Sequence, residues 1–148
     1  FKIADLDLKR YGIEIVTGGN ISTDPETGKG WFFEPTILDN LSPSDDAVTQ
    51  EIFGPVLAVQ TFESEEEALA LANGTEFALA AGIYTRDMST ALRMAQRVDA
   101  GQVNVNDYWA GGIELPFGGT GLSGHGREKG FEALFGFSTV KTVATYHG

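Results

Sequence analysis

At 148 residues the chain has the size of one ordinary domain, and a balance of 42% hydrophobic to 21% charged residues is that of a folded protein, not a disordered one. The formal net charge of −11 argues against a nucleic-acid partner and against acidic membrane surfaces, and no apolar run approaches a membrane span or a signal peptide. The lack of cysteine excludes disulfides and thiolate metal sites, and nothing asks for secretion, which leaves a cytoplasmic default.

Residues 1–11 read as a helix already under way, with Ile3, Leu6 and Tyr11 at loosely helical spacing and Gly12 placed to close it. With Phe1 first and no capping residue before it, the expectation is a chain cut from something longer. Ile13–Val16 alternates like a short strand ended by Thr17-Gly18-Gly19-Asn20. Residues 22–30 form a turn, and Trp31-Phe32-Phe33 and Thr36-Ile37-Leu38 are strand material broken by Pro35. The loop Ser42–Asp46 is placed to cap a short helical turn at Ala47–Gln50.

From Val56 onward the pattern becomes regular. Val56–Phe62 is an apolar run of strand length, and Ser64-Glu65-Glu66-Glu67 follows as a capping box that opens a helix at the positive end of its dipole. That helix is expected to stop at Asn73-Gly74 through a left-handed residue. Leu79–Tyr84 is the next strand, and Asp87 caps a second helix with Met88, Ala91, Leu92, Ala95 and Val98 on one face, ended by Ala100-Gly101. Gln102–Asn106 is a further strand. Strand, helix, strand, helix, strand predicts an α/β fold with βαβ units and a parallel sheet. Phe137–Tyr146, rich in Val, Thr and aromatics, reads as one long strand, an edge or an exchanged one, carrying a solvent-facing or interface Lys141. Nineteen glycines suit a loop-rich active-site region better than a helical bundle.

Two segments carry chemistry. Glu51 stands two residues before Phe53 and is followed by Gly54-Pro55. A carboxylate so placed can grip a ribose diol while the ring packs against the attached base; the competing reading is a surface Glu and a core Phe before a turn. Asn106 begins the second segment, past the carboxyl end of a probable parallel strand, where ligands of open α/β sheets bind. Tyr108 and Trp109 are placed to line an apolar tunnel or to anchor a long loop. Gly119-Thr120-Gly121-Leu122-Ser123-Gly124 spells G-x-G-x-x-G, but Pro116-Phe117-Gly118 intervenes where a strand should run in, so it reads as turn glycine. Glu128 reads as the start of a helix after that turn. His125 and His147 are separated by loop and strand, which makes a metal site improbable, and Ser123 lacks the elbow of a hydrolase.

Gln50-Glu51-Ile52-Phe53-Gly54-Pro55-Val56, and Pro116-Phe117-Gly118-Gly119 running to Ser123-Gly124-His125-Gly126-Arg127-Glu128, resemble the aldehyde dehydrogenase superfamily. The resemblance covers nearly the whole chain, from about Tyr11 to Val143, with Gln50 standing where many members have Glu. It implies an enzyme that oxidises an aldehyde to a carboxylic acid with NAD or NADP. Glu51 would bind the nicotinamide ribose and Phe53 would contact the nicotinamide side. Tyr108, Trp109, Ile113 and Phe117 would shape the aldehyde pocket, and Glu128 would be a secondary candidate for a proton relay. In the resembled enzymes a cysteine thiolate attacks the aldehyde, and this chain has none. The reading is therefore residues 1–136 as the C-terminal part of a catalytic domain and 137–148 as an oligomerisation strand pairing with another subunit, the chain inactive alone. The alternative is a standalone, non-catalytic module that binds a partner or assembles through its terminal strand.

Overall fold

A computed structural model describes residues 12–108 and 111–148, so the opening helix and Trp109 lie outside the described residues. The chain gathers into two compact units, one reaching Glu76 and one beginning at Phe77. No helix among the described residues is long and apolar enough to cross a membrane.

In the first unit, β1 (Glu14–Thr17), β4 (Thr36–Asp39) and β5 (Val56–Ala58) form a sheet in the order β1-β4-β5. β1 runs antiparallel to β4, and β4 runs parallel to β5 in the register Thr36↔Val56, Ile37↔Leu57, Leu38↔Ala58. Leu38 is fully buried and joins Ala47 in a core against which Ile13, Ile15, Leu41, Ile52 and Val56 pack. Thr36 is buried too: its hydroxyl donates to the Glu34 carbonyl and accepts from the Gly19 N–H, both at 2.8 Å. The neighbouring Gly18 has φ +74, and a Cβ there would collide with the Pro35 carbonyl, so only glycine fits the crossing.

The expected turn over residues 22–30 joins β2 (Ile21–Ser22) to β3 (Phe32–Phe33) as an antiparallel pair. Asp24 Oδ1 accepts from the N–H of Glu26 and from both the N–H and hydroxyl of Thr27, and these bonds, Thr27's first, hold its pKa below the usual carboxylate value. The short helix α1 (Asp46–Thr49) begins one residue earlier than expected. Its preceding Asp45 spends its carboxylate on the Ser42 N–H at 2.7 Å instead of on the helix.

The helix α2 (Glu65–Ala72) starts as its sequence dictates. Ser64 Oγ accepts from the Glu67 N–H at 3.2 Å, and the Glu67 carboxylate reaches back to the Glu63 N–H at 2.8 Å. Its end corrects the expectation: Asn73 has φ −91 and ψ 5, and Gly74 is not left-handed either. The Gly74 N–H closes a tight turn onto the Leu71 carbonyl at 3.1 Å, and a Cβ on Gly74 would stand 3.2 Å from two helix carbonyl oxygens. Close approach, not a positive φ, selects glycine at this stop.

In the second unit, β7 (Ala80–Ile83), α3 (Met88–Arg97) and β8 (Gln102–Val105) form the expected βαβ unit, with β7 and β8 parallel from Ala80↔Gln102 to Ile83↔Val105. Asp87 caps α3, its carboxylate accepting from the Ser89 and Thr90 N–H groups and from both hydroxyls. The buried face of α3 is Ala91 and Met94; Met88 and Leu92, placed on it from the sequence, are 60% and 57% exposed. The strand expected over Leu79–Tyr84 is β7, and a separate short strand precedes it. Phe77–Ala78 forms β6, which pairs antiparallel with β9 (Thr120–Gly121), so the G-x-G-x-x-G run is a strand end and a turn. Nor is there one parallel sheet through the five-element run, because β5 takes β4 as partner and β7 takes β8. Α short helix α4 (Ala133–Gly136) follows, and 137–148 carries no strand pairing among the described residues, with Phe137, Val140 and Tyr146 over 90% exposed. A β-strand is stable only against a partner edge, and the described chain offers this segment none.

Candidate active site

The loop preceding β5 owes its geometry to Ile52. That side chain packs on the Leu38–Ala47 core, while its two neighbours do not. Glu51 is accordingly exposed and Phe53 is 88% exposed, which removes the core-phenylalanine reading. The loop is fixed behind them: the Gly54 N–H donates to the Ile52 carbonyl at 2.9 Å, the Val56 N–H to Gly54 at 2.8 Å, and the Thr36 N–H to the Pro55 carbonyl at 2.8 Å. Gly54 and Pro55 line a groove of about 370 Å³ with Thr17, Thr36, Ile37 and Val56, at the amino ends of the parallel pair β4–β5. A solvent-facing carboxylate and phenyl ring beside an apolar groove fit a group that carries both a sugar diol and a flat heteroaromatic ring.

The other chemistry-bearing residues gather in the second unit. Asn106 closes β8 with φ 55; its N–H donates to the Ile83 carbonyl and its Oδ1 accepts from the Thr85 N–H at 2.9 Å. Tyr108, 53% exposed, stands close enough to β7 that a Cβ on Gly82 would lie 3.7 Å from its ring. Phe117 and Glu128 form an antiparallel bridge, each N–H donating to the other's carbonyl at 2.7 Å, and the Gly130 N–H donates to the Ile113 carbonyl at 2.7 Å. Ile113, Phe117 and Glu128 are thus tied together by backbone, while the Lys129 ammonium lies 5.7 Å from the centre of the Phe117 ring.

That bridge corrects the placement of Glu128, which begins no helix. Both of its backbone groups are committed to Phe117, and Lys129 and Gly130 follow at φ 58, a left-handed conformation that cannot continue a helical turn. Glu128 is exposed in the bridge, five residues before α4 begins at Ala133. Among the described residues no three His, Asp or Glu side chains are grouped to hold a metal ion.

Residues 5–143 match the aldehyde dehydrogenase family. The chain belongs to that family. The 4-trimethylaminobutyraldehyde dehydrogenase A of Danio rerio is 42% identical over 142 residues, which is 95% of this chain and 28% of that protein. Betaine aldehyde dehydrogenase 1 of Rhizobium meliloti is 41% identical over 135 residues, 91% of this chain and 28% of its own length. Among solved structures, betaine aldehyde dehydrogenase of Staphylococcus aureus in complex with NAD+ matches with a TM-score of 0.80 at 39% identity, covering 85% of this chain and 25% of that one. The chain therefore spans about a quarter of the length of the aldehyde dehydrogenases it matches.

Within this aldehyde dehydrogenase segment, several residues that hold the site carry little signal of that role in the local pattern. Arg127 stands in the sequence only as one letter of the Ser123–Glu128 motif, yet its Nη1 donates to the carbonyls of Gly119 and Gly126 at 2.7 and 2.8 Å. Ser123 Oγ accepts from the Ala78 N–H at 3.0 Å, across 45 residues. Gly101 passes so close to Gly118 that a Cβ would collide with the Gly118 carbonyl. The run of glycines around Arg127 was the available signal, since closely approaching backbones need both the space and a donor.

Proposed function

We propose that the protein carrying this chain oxidises an aldehyde to a carboxylic acid, with NAD+ or NADP+ accepting the hydride. The observation that carries the reading is the Glu51-Ile52-Phe53 arrangement: a core-anchored Ile52 between two outward-facing groups, in a chain of the aldehyde dehydrogenase family. Glu51 accepts hydrogen bonds from the nicotinamide ribose, and Phe53 packs on the nicotinamide side. Phe117, Ile113, Tyr108 and Trp109 line the aldehyde pocket; Glu128, held beside Phe117, is the secondary candidate for relaying a proton out of it. Relatives named for betaine aldehyde and 4-trimethylaminobutyraldehyde support a small aldehyde as the substrate class.

The chain has no cysteine, so the thiolate that attacks the aldehyde is supplied from outside these 148 residues, and the chain alone is inactive. Residues 1–136 contribute to the catalytic domain. Residues 137–148, with Phe137, Val140 and Tyr146 exposed and no ladder partner among the described residues, serve as the oligomerisation strand of a cytoplasmic homo-oligomer. The exposed terminal apolar residues would equally serve the second reading, a non-catalytic assembly module.

The test is formation of reduced nicotinamide by the longer protein that contains this segment, with small aldehydes and either cofactor. Glu51→Gln is expected to weaken cofactor binding by about tenfold or more, the loss of bonds to a charged acceptor. Unaltered cofactor affinity in the variant would sink the role given to Glu51, and sustained turnover by the isolated 148-residue chain would sink its inactivity.

A further inference from the structure

Three consecutive residues of the second unit are gripped from one side by three others. Phe117 is paired to Glu128 through two backbone hydrogen bonds of 2.7 Å. Gly118 lies against the Arg127 side chain: a Cβ on it would stand 2.9 Å from Nη1 and 3.0 Å from Cδ, and would collide with the Gly126 carbonyl. Gly119, buried, gives its carbonyl to Arg127 Nη1 at 2.7 Å, and the same nitrogen donates to Gly126 at 2.8 Å. The Phe117–Glu128 pairing is an isolated bridge, and so short a ladder is marginal by itself in water. What fastens it is a permanently charged guanidinium, whose bonds to carbonyl oxygens are stronger than those between neutral groups.

We infer that Arg127 is the positioning residue of the aldehyde pocket: by holding the Gly119 and Gly126 carbonyls on one nitrogen, with Gly118 packed against its side chain, it ties the two segments on either side of the Phe117–Glu128 bridge and so fixes the place of the Phe117 ring. The inference rests on the proposed role of Phe117 at the aldehyde. Arg127 touches no reacting atom in this account. Its removal loosens one wall of the pocket and leaves the cofactor loop of the first unit as it was. Substrate binding therefore suffers more than the chemical step.

The experiment uses the longer protein carrying this segment, as wild type, Arg127→Gln and Arg127→Lys. Amide hydrogen exchange is read at Phe117 and Glu128, and KM and kcat are measured for a short aliphatic aldehyde. Arg127→Gln is expected to speed exchange at both amides about tenfold while α3 and β8 keep their protection, and to raise the aldehyde KM about tenfold with kcat within about twofold. Arg127→Lys is expected to restore most of both, because one ammonium can serve two carbonyls that one nitrogen serves now. Unchanged exchange at Phe117 and Glu128 in Arg127→Gln overturns the inference, and so does a loss of protection spread through α3 and β8, which would make Arg127 a general support of the fold. Faster exchange with an unaltered KM overturns its link to the aldehyde. If the wild type oxidises no aldehyde, the proposed function fails, while the exchange data still decide whether Arg127 fixes Phe117.

Discussion

The loop at Glu51–Phe53 and the hairpin from Ile113 to Gly130 solve opposite problems. The first is fastened from behind, by Ile52 in the core and by three backbone bonds around Gly54 and Pro55, and leaves Glu51 and Phe53, the side chains proposed to meet the cofactor, in solvent. The second is fastened through its own backbone: the Phe117–Glu128 bridge, the Gly130–Ile113 bond, the Arg127 guanidinium, and glycines at Gly101, Gly118 and Gly119 that admit no Cβ without a collision or a close contact. A site that takes a ligand from outside can leave its side chains open. A wall that must stand at a fixed place needs its main chain pinned, and glycine is what lets two main chains come that close.

The contrast can be broken by two substitutions, one adding a methyl and one removing a ring. Gly101→Ala drives a methyl into the Gly118 carbonyl, and the expected cost is about 1–3 kcal/mol of stability, as for an overpacked core. Phe53→Ala removes a far larger but exposed side chain and should change stability by less than about 0.5 kcal/mol while weakening cofactor binding. Urea unfolding and cofactor titration of both variants check this; a Phe53→Ala protein destabilised as much as Gly101→Ala would mean that the first loop is also held by the Phe53 ring.

Helix starts sharpen the comparison between units on a smaller scale. Ser64→Ala deletes one acceptor for the Glu67 N–H and is expected to cost about 1 kcal/mol, read by thermal unfolding. Asp87 responds to pH as well. The side-chain hydrogen bonds of Thr90 and then Ser89, followed by their N–H groups, hold its pKa far below the usual carboxylate value. A carboxylate depressed in the folded state contributes stability that is whole above its ordinary pKa and is lost as pH falls toward the depressed one. The gap in melting temperature between wild type and Asp87→Asn should stay constant from neutral pH down to the ordinary carboxylate range and shrink below it. A gap that closes already near neutrality would contradict the cap.

The strings around Glu51, Phe53 and Phe117 stand out in the residues themselves, but the pattern leaves open whether Phe53 faces solvent or the core. Glu128 was placed wrongly because a carboxylate after a glycine turn looks like a helix start, and its pairing to Phe117 spans a loop that no local pattern records. The long tail strand was a fair reading of β-prone residues, but propensity names no partner edge.

The sequence by itself determined what is local: the caps of α2 and α3 at Ser64 and Asp87, the turn over residues 22–30, and the βαβ unit from Ala80 to Val105. These depend on residues a few positions apart, or on a period that repeats along the chain. Only the tertiary structure decided that β5 lies beside β4, that β6 is split from β7 to meet β9, that Gly101 touches Gly118, and that Arg127 closes on Gly119. Each of these brings two stretches of backbone together, and the free energy that selects them comes from burial and hydrogen bonds which exist only once both stretches have arrived.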